Sequence, residues 1–472
     1  MRSRPLALPL LVLLVAARVG FAETPAPPKT FDVKSIDAYV SAVVGEEKIP
    51  GLGLAIARDG KIVLAKGYGK CSLDEGAAPV EAETTFAAGS VTKQLVCACV
   101  LLLAEEGKLS IDDKVSKYFP DLTKAGEITL HQLMAHTSGY PDFYPLDFVD
   151  RRMAKPIEPD ALIAEYAGGK LDFEPGHRWS YSNTGYTILG RVVEKVTGQP
   201  FGEFFKARLL SPLGMTHSVF EPTEPLKGGT RGYLSIATGP LVPAKPEAHG
   251  WLYTAGGLFA SAPDLARWDL GLMDGKVLKP ETFRIMTTGV KLADGRVRDY
   301  GCGLQIARRD GETILTHGGA ISGFRASNTL IPRTKSAVVL LTNSEAADLG
   351  PISQAIVGLL IKDEAEPEVP KVAGPSPREA GLEFLHAMQA GKLDRDKLGE
   401  EFSLYMTDEH VKSAAARLKP LGQPDEVEVD AVRERGGMEV AALRFVFKGV
   451  TLKGLLYRTP DGKIQQLLFV KD

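Results

Sequence analysis

Phe86-Ala87-Ala88-Gly89-Ser90-Val91-Thr92-Lys93, followed by an apolar run from Leu95 to Ala104, decides how this chain is read. The run lasts about three turns and closes at Glu105-Glu106-Gly107. A helix that is apolar all round belongs inside a sizeable domain. This one is too short to span a bilayer. Ser90 sits where the helix begins, and Lys93 follows at i+3, on the same face. A serine hydroxyl is a weak nucleophile until a neighbour takes its proton. A lysine in a water-poor pocket can be driven to the neutral form that does so. The helix N-terminus favours the negative charge that develops on an attacked carbonyl. The bland alternative is a chance pair, so the argument passes to possible partners elsewhere in the chain.

The 472 residues allow two or three domains, and a formal net charge of −3 gives no reason to expect nucleic acid or a membrane surface as partner. Residues 1–22 are expected to be a secretory signal peptide. Arg2 and Arg4 precede an apolar stretch from Leu6 to Ala17, and Gly20-Phe21-Ala22 offers small residues for cleavage before Glu23. The chain is therefore expected to be exported, to the periplasm or to the medium. No cysteine follows the cleavage site, so no lipid anchor is expected there, and no other stretch is long enough for stable membrane insertion. Of the four cysteines, Cys97 and Cys99 lie two apart on the buried helix and point to different faces. Cys71 and Cys302 fall in strand-like segments. Mostly free buried thiols are expected, with one bridge to Cys302 left open. There is no HExxH, no CxxC and no clustered His/Cys pattern, so neither a metal nor another cofactor is expected.

Residues 23–31 read as a flexible leader. Phe31–Val44 has helical periodicity. Gly51–Arg58 and Lys61–Lys66 read as a hairpin across Asp59-Gly60. Helices are expected at 128–135, 187–197, 201–209, 264–273 and 354–361, and strands at 300–307, 313–316, 327–331 and 337–342. Two strands, a long helical middle, more strands and a last helix predict an α/β fold of the α+β type: a mixed sheet flanked by helices, with a helical region beside it, over residues 32–362. Residues 363–377 are acidic and proline-rich, a linker. Ser376-Pro377 can start a helix as N-cap and first residue. Residues 378–472 then run helices first (379–390, 408–418) and alternating strands after (426–432, 439–447, 451–457, 463–470). This small α+β domain has the element order of an NTF2-like cone. It holds no catalytic constellation, and the sequence names no partner for it.

Two further segments carry chemistry. Tyr181-Ser182-Asn183 sits in a turn, and residues two apart in extended chain point the same way. A phenol and an amide facing one pocket can move a proton and hold a substrate carbonyl. His317-Gly318-Gly319 is expected to end a strand, and paired glycines at a strand edge let another backbone come close. The bland readings are a core tyrosine with a helix-capping asparagine, and a hairpin turn with a surface histidine.

Taken in order, S-x-x-K, Y-x-N and H-x-G resemble the serine β-lactamase and penicillin-binding protein superfamily. Within it the chain looks like class C β-lactamases, D-Ala-D-Ala carboxypeptidases, D-aminopeptidases and related esterases. Leu133-Met-Ala-His136-Thr137-Ser138-Gly139, Glu174-Pro175-Gly176, Pro212-Leu-Gly-Met215 and Gly256-Gly257-Leu258 add to the match. The resemblance covers roughly residues 32–362 and implies a β-lactamase/transpeptidase-like fold. It makes Ser90 the acyl-accepting nucleophile, with Lys93 and Tyr181 sharing the acid and base work, the lead between them left open. Asn183 would bond the substrate amide, and His317 would stand in for the commoner lysine. Ser90 and Ala320 would supply oxyanion N–H groups, and Gly319 room for close approach. Gly318 lacks the hydroxyl usual in the third motif, and histidine is a weaker, pH-dependent cation. Arg325 could restore a cation, though a solvated arginine is the plainer reading. The expected activity is acyl transfer to Ser90 and hydrolysis of a small-molecule or peptide substrate through an amide, peptide or ester bond. A true β-lactamase or carboxypeptidase, and a non-catalytic binding protein on the same scaffold, are the alternatives.

Overall fold

Gly51–Arg58 is an interior strand of the molecule's main sheet, and its sequence, GLGLAIAR, shows why. Large and small side chains alternate, so the strand has one bulky and one slim face. Leu52, Leu54 and Ile56 pack with Ile36, Val40 and Val43 of the Val33–Glu46 helix and with Ile352 and Ile356 of the Gly350–Ile361 helix. On the slim face a Cβ at Gly53 would lie 3.1 Å from Phe86 and 3.6 Å from Ala262, and Ala55 joins the core of the helical region. The sheet is thus buried on both sides, with the terminal helices on one and the helical region on the other.

The computed structural model describes residues 26–471 except 145, 147, 224–228, 238 and 362–368. The expected signal peptide, the start of the leader and part of the linker lie outside the described residues. The chain divides into two compact units, Met1–Ile361 and Lys362–Asp472. Among the described residues no helix is long and apolar enough to cross a membrane.

In the first unit the main sheet runs, from one edge to the other, Gln305–Arg309, Glu312–Ile321, Phe324–Ile331, Ser336–Thr342, Gly51–Arg58 and Lys61–Gly69. The expected α+β architecture is present, and within this sheet every pairing is antiparallel rather than mixed. The four strands between Gln305 and Thr342 form a meander through tight turns, which needs no parallel crossover. Two boundaries differ from the sequence reading. The third-motif strand does not end at His317 but continues to Ile321. The expected strand over 300–307 starts only at Gln305, because Gly301 and Gly303 fold the preceding segment against other backbone. A Cβ at Gly303 (φ +72°) would lie 2.8 Å from the Lys93 carbonyl oxygen. Cys302 lies in that loop and Cys71 in another, neither in a strand, and all four cysteines are free and buried.

The Thr92–Glu105 helix is buried from Thr92 to Leu101, as an unbroken apolar run requires. The second unit places helices Pro377–Ala390, Glu400–Tyr405 and Asp408–Leu418 before an antiparallel sheet of 426–435, 438–447, 450–458 and 464–466. Ser376 caps its first helix in a reciprocal box with Glu379. The expected last strand, 463–470, is split: Ile464–Gln466 and Val470–Lys471 both pair with the 450–458 strand, at different places.

Candidate active site

The turn Gly89–Val91 leads directly into the Thr92–Glu105 helix. Gly89 has φ +52°, and a Cβ there would come 3.0 Å from the Ala320 nitrogen. Thr92 fixes the turn: its hydroxyl donates to the Gly89 carbonyl (2.6 Å) and accepts from the Leu258 N–H (3.1 Å). Ser90 is thereby pressed against the 312–321 strand, beside Ala320, with first-turn N–H groups that have no partner inside the helix.

Lys93 is wholly buried. Its Nζ lies 3.1 Å from Ser90 Oγ, 2.7 Å from Asn183 Oδ1 and 2.7 Å from the Ala255 carbonyl oxygen. The last two can only accept. A neutral amine spends both N–H groups on them and turns its lone pair to the Ser90 hydroxyl. Desolvation favours that neutral form and pulls the lysine down to about 7, against the opposing pull of Asp142 and Cys97.

Tyr181 closes the site from the other side, with its ring 4.8 Å from Lys93 Nζ. Burial raises its phenol well above the usual value, with the hydrogen bond to Ser90 acting the other way. The phenol is therefore a proton carrier at neutral pH, not a standing phenolate. Asn183 is not in extended chain as expected but is the first residue of the Asn183–Thr197 helix. Its Nδ2 donates to Asp142 Oδ1 at 3.0 Å, and its backbone N–H donates to the same oxygen, also at 3.0 Å. Asp142 orients the amide so that Oδ1 faces Lys93. Sequence reasoning did not single out Asp142.

His136 is the other residue that sequence reasoning left without a role. It is buried, in the left-handed region at φ +59°, a conformation that costs a non-glycine residue energy. Its carbonyl accepts from the Ser180 N–H and its Nδ1 accepts from the Ser182 N–H, both at 3.1 Å. Its ring lies 4.3 Å from that of Tyr181. Tyr181 is therefore clamped on both flanks and along its face. Because Nδ1 accepts, the proton is on Nε2, which meets Tyr300 Oη at 3.2 Å. The Tyr300 hydroxyl then donates to His317 Nε2 (2.9 Å), and His317 Nδ1–H donates to the Gly318 carbonyl (2.6 Å).

This chain of bonds corrects the reading of His317 as a cation facing the substrate. It is 7% exposed, with both ring nitrogens engaged. Burial, helped by the charge on Lys93, draws it down to about 4, so it is neutral in ordinary buffers. His136 lies well below its usual value for the same reasons. Gly318 faces open space: a Cβ would meet only the Ala326 carbonyl oxygen, at 3.7 Å. Gly319 does allow close approach, but the nearest backbone is the protein's own: a Cβ would lie 2.0 Å from the Ala88 carbonyl oxygen. Arg325 is exposed and donates to the Glu345 carbonyl.

Ser90, Tyr181, Asn183, His317, Gly319 and Ala320 all line one cavity of about 590 Å³, with Lys93 beneath it. Phe143, Tyr144 and Trp251 give it an apolar wall. Among the described residues no group of three or more His, Cys, Asp or Glu side chains is placed to hold a metal ion.

The chain is 30% identical over 311 residues to a Bacillus subtilis (strain 168) protein named as a penicillin-binding protein, PbpX, covering 65% of this chain and 74% of that one. It is 27% identical over 316 residues to D-aminopeptidase of Gluconobacter oxydans (strain 621H), covering 66% of this chain and 59% of the relative. The octameric penicillin-binding protein homologue from Pyrococcus abyssi superposes with a TM-score of 0.62 at 25% identity, over 93% of this chain and 96% of that one. The family model named Beta-lactamase matches residues 36–357, a span that takes in every side chain of the cavity described above. On that match the chain belongs to the beta-lactamase family of serine hydrolases.

Proposed function

We propose that the chain is an exported serine hydrolase that forms an acyl-enzyme on Ser90 and then hydrolyses it, acting on an amide, peptide or ester. The observation that carries this is the buried Lys93 amine, 3.1 Å from Ser90 Oγ with two acceptors for its N–H groups. Lys93 takes the Ser90 proton as Oγ bonds to the substrate carbonyl carbon. The oxyanion forms beside the N–H groups of Ser90 and Ala320. The proton passes through the Tyr181 phenol to the leaving nitrogen or oxygen as its bond to carbon breaks. Water then attacks the acyl-enzyme, giving up a proton by the same route, and Ser90 is restored. The desolvated phenol suits the shuttle and the neutral lysine the base, which assigns the lead to Lys93. Burying a lysine here is costly without such a task, which argues against a purely binding role. Export rests on Arg2, Arg4 and the Leu6–Ala17 run.

A neutral His317 and a bare Gly318 offer no anion partner at the third motif. That disfavours efficient β-lactam hydrolysis and D-Ala-D-Ala cleavage through this motif, and agrees with the likeness to a D-aminopeptidase. The test is a turnover panel: a D-amino acid p-nitroanilide, a simple aryl ester and nitrocefin. Turnover of the anilide or ester, abolished by Ser90→Ala, supports the reading. Nitrocefin as much the best substrate would replace it with a true β-lactamase.

A further inference from the structure

The sheet of the second unit has one open edge. The Glu426–Arg435 strand pairs with the Met438–Phe447 strand on one side and, among the described residues, with no strand on the other. An open edge of that length is a template for another strand. We propose that a second copy of this chain fills it, the two Glu426–Arg435 strands pairing antiparallel so that one sheet runs through both copies.

The strand reads EVEVDAVRER, acidic at its start and basic at its end. Charges that merely blunt an edge repel its own copy; these match it. Laid antiparallel on a copy, Glu426 meets Arg435, Glu428 meets Arg433 and Val429 meets Val432, each twice by symmetry. Residues that meet across two strands must share a face of the sheet. Glu426 and Arg435 are an odd number of residues apart, so in a regular strand they would lie on opposite faces. The bulge in this strand removes that obstacle. Val429 opposes Leu443 and Ala431 opposes Ala442, which leaves Asp430 as an extra residue outside the ladder. Val427, Val429 and Val432 consequently oppose Phe445, Leu443 and Ala441, all buried, and share the covered face. Glu426, Glu428, Arg433 and Arg435 share the other. The valines supply the second observation. Val427 is buried, but Val429 and Val432 are 38% and 40% exposed on a face that is otherwise covered. The register that pairs the charges is the one in which these two valines cover each other. Among the described residues no ion pair holds Glu426 or Arg433. Arg444 neutralises Asp430, at 2.8 Å, near the symmetry axis where two copies of it approach, and also pairs with Glu428.

The experiment is sedimentation velocity on the full chain, on Arg433→Glu/Arg435→Glu, on Glu426→Lys/Glu428→Lys, and on the two variants mixed, with thermal melts to check each fold. The wild type is expected to form a reversible dimer at about 50 µM. Each variant alone is expected to dimerise about tenfold more weakly or worse, because like charges then face each other at all four charged pairs. The mixture is expected to recover the wild-type affinity, since every pair is again opposite in sign. A wild type that stays monomeric, a dimer that neither variant weakens, or a mixture that fails to recover overturns the proposal. Val429→Cys/Val432→Cys gives a second reading that leaves the charges in place. Three residues along an extended strand span about 10 Å, too far for a bridge within one chain. Mild oxidation is expected to cross-link two chains of the double variant and neither single variant. An uncross-linked double variant overturns the register.

Discussion

At the scale of the residue, the chemistry depends on one proton. Lys93 is drawn from 10.5 to about 7 because it is buried. Below pH 7 it is charged and cannot accept the Ser90 proton; above pH 7 it can. The expected kcat/KM rises about tenfold per unit up to an apparent pKa near 7 and then levels, as a pH–rate profile with a neutral ester will show. Lys93→Met should cost about 10²–10⁴-fold. Gly318 makes the opposite kind of prediction, a gain. Its Cβ position is open, and a threonine there would place a hydroxyl at the mouth of the cavity without displacing a neighbour. Gly318→Thr is expected to speed labelling by a fluorescent penicillin by about tenfold, the worth of one hydrogen bond to a charged group. No change in the labelling rate would mean that the missing hydroxyl is not what limits carboxylate recognition. Ser90 and Lys93 could be paired in the sequence from their i,i+3 spacing at the head of an apolar helix, whereas Tyr181 was singled out through the resemblance of the three motifs taken in order. Asp142 and His136 were not legible there. Each acts through a long-range hydrogen bond, to Asn183 and to the Tyr181 turn, which a local pattern does not encode.

At the scale of the element, the misplaced end of the third-motif strand has a plain cause. Paired glycines read as a turn, yet Gly318-Gly319 stays within a strand, where Gly319 clears space for the Ala88 carbonyl, while Gly323 (φ +82°) makes the actual hairpin turn. Close approach and chain reversal leave the same signature in sequence. The segment from His136 to His317, bridged by Tyr300, joins the 130–134 helix's following turn to that strand, and it predicts acid sensitivity. Both histidines take up protons near 6.5 when unfolded, but in the fold His317 resists until about 4 and burial holds His136 well below its usual value too. Between pH 6.5 and 4 the unfolded chain therefore binds more protons, and stability falls as pH drops through that window. The slope is about 1.4 kcal/mol per unit for each histidine. Thermal melts of the wild type from pH 7 to 5 should show the loss, and His317→Gln should show a shallower dependence. Equal slopes would mean that His317 is not held neutral.

At the scale of the whole molecule, the order of the elements carried most of the fold. A hairpin, a helical middle, a meander and a closing helix are strongly patterned, and the proline-rich stretch near residue 362 is where the chain divides. The antiparallel character of the main sheet was harder to read, since strand order depends on which distant edges meet. The helices-then-sheet order of the second unit was visible from its alternating strands and its Ser376-Pro377 start. The account's central claim is that this scaffold activates Ser90. It is tested most directly by intact mass after exposure to a fluorophosphonate, on wild type and Ser90→Ala. One adduct per wild-type chain and none on Ser90→Ala is the predicted result. An unlabelled but folded wild type, or an adduct that survives the substitution, would contradict it.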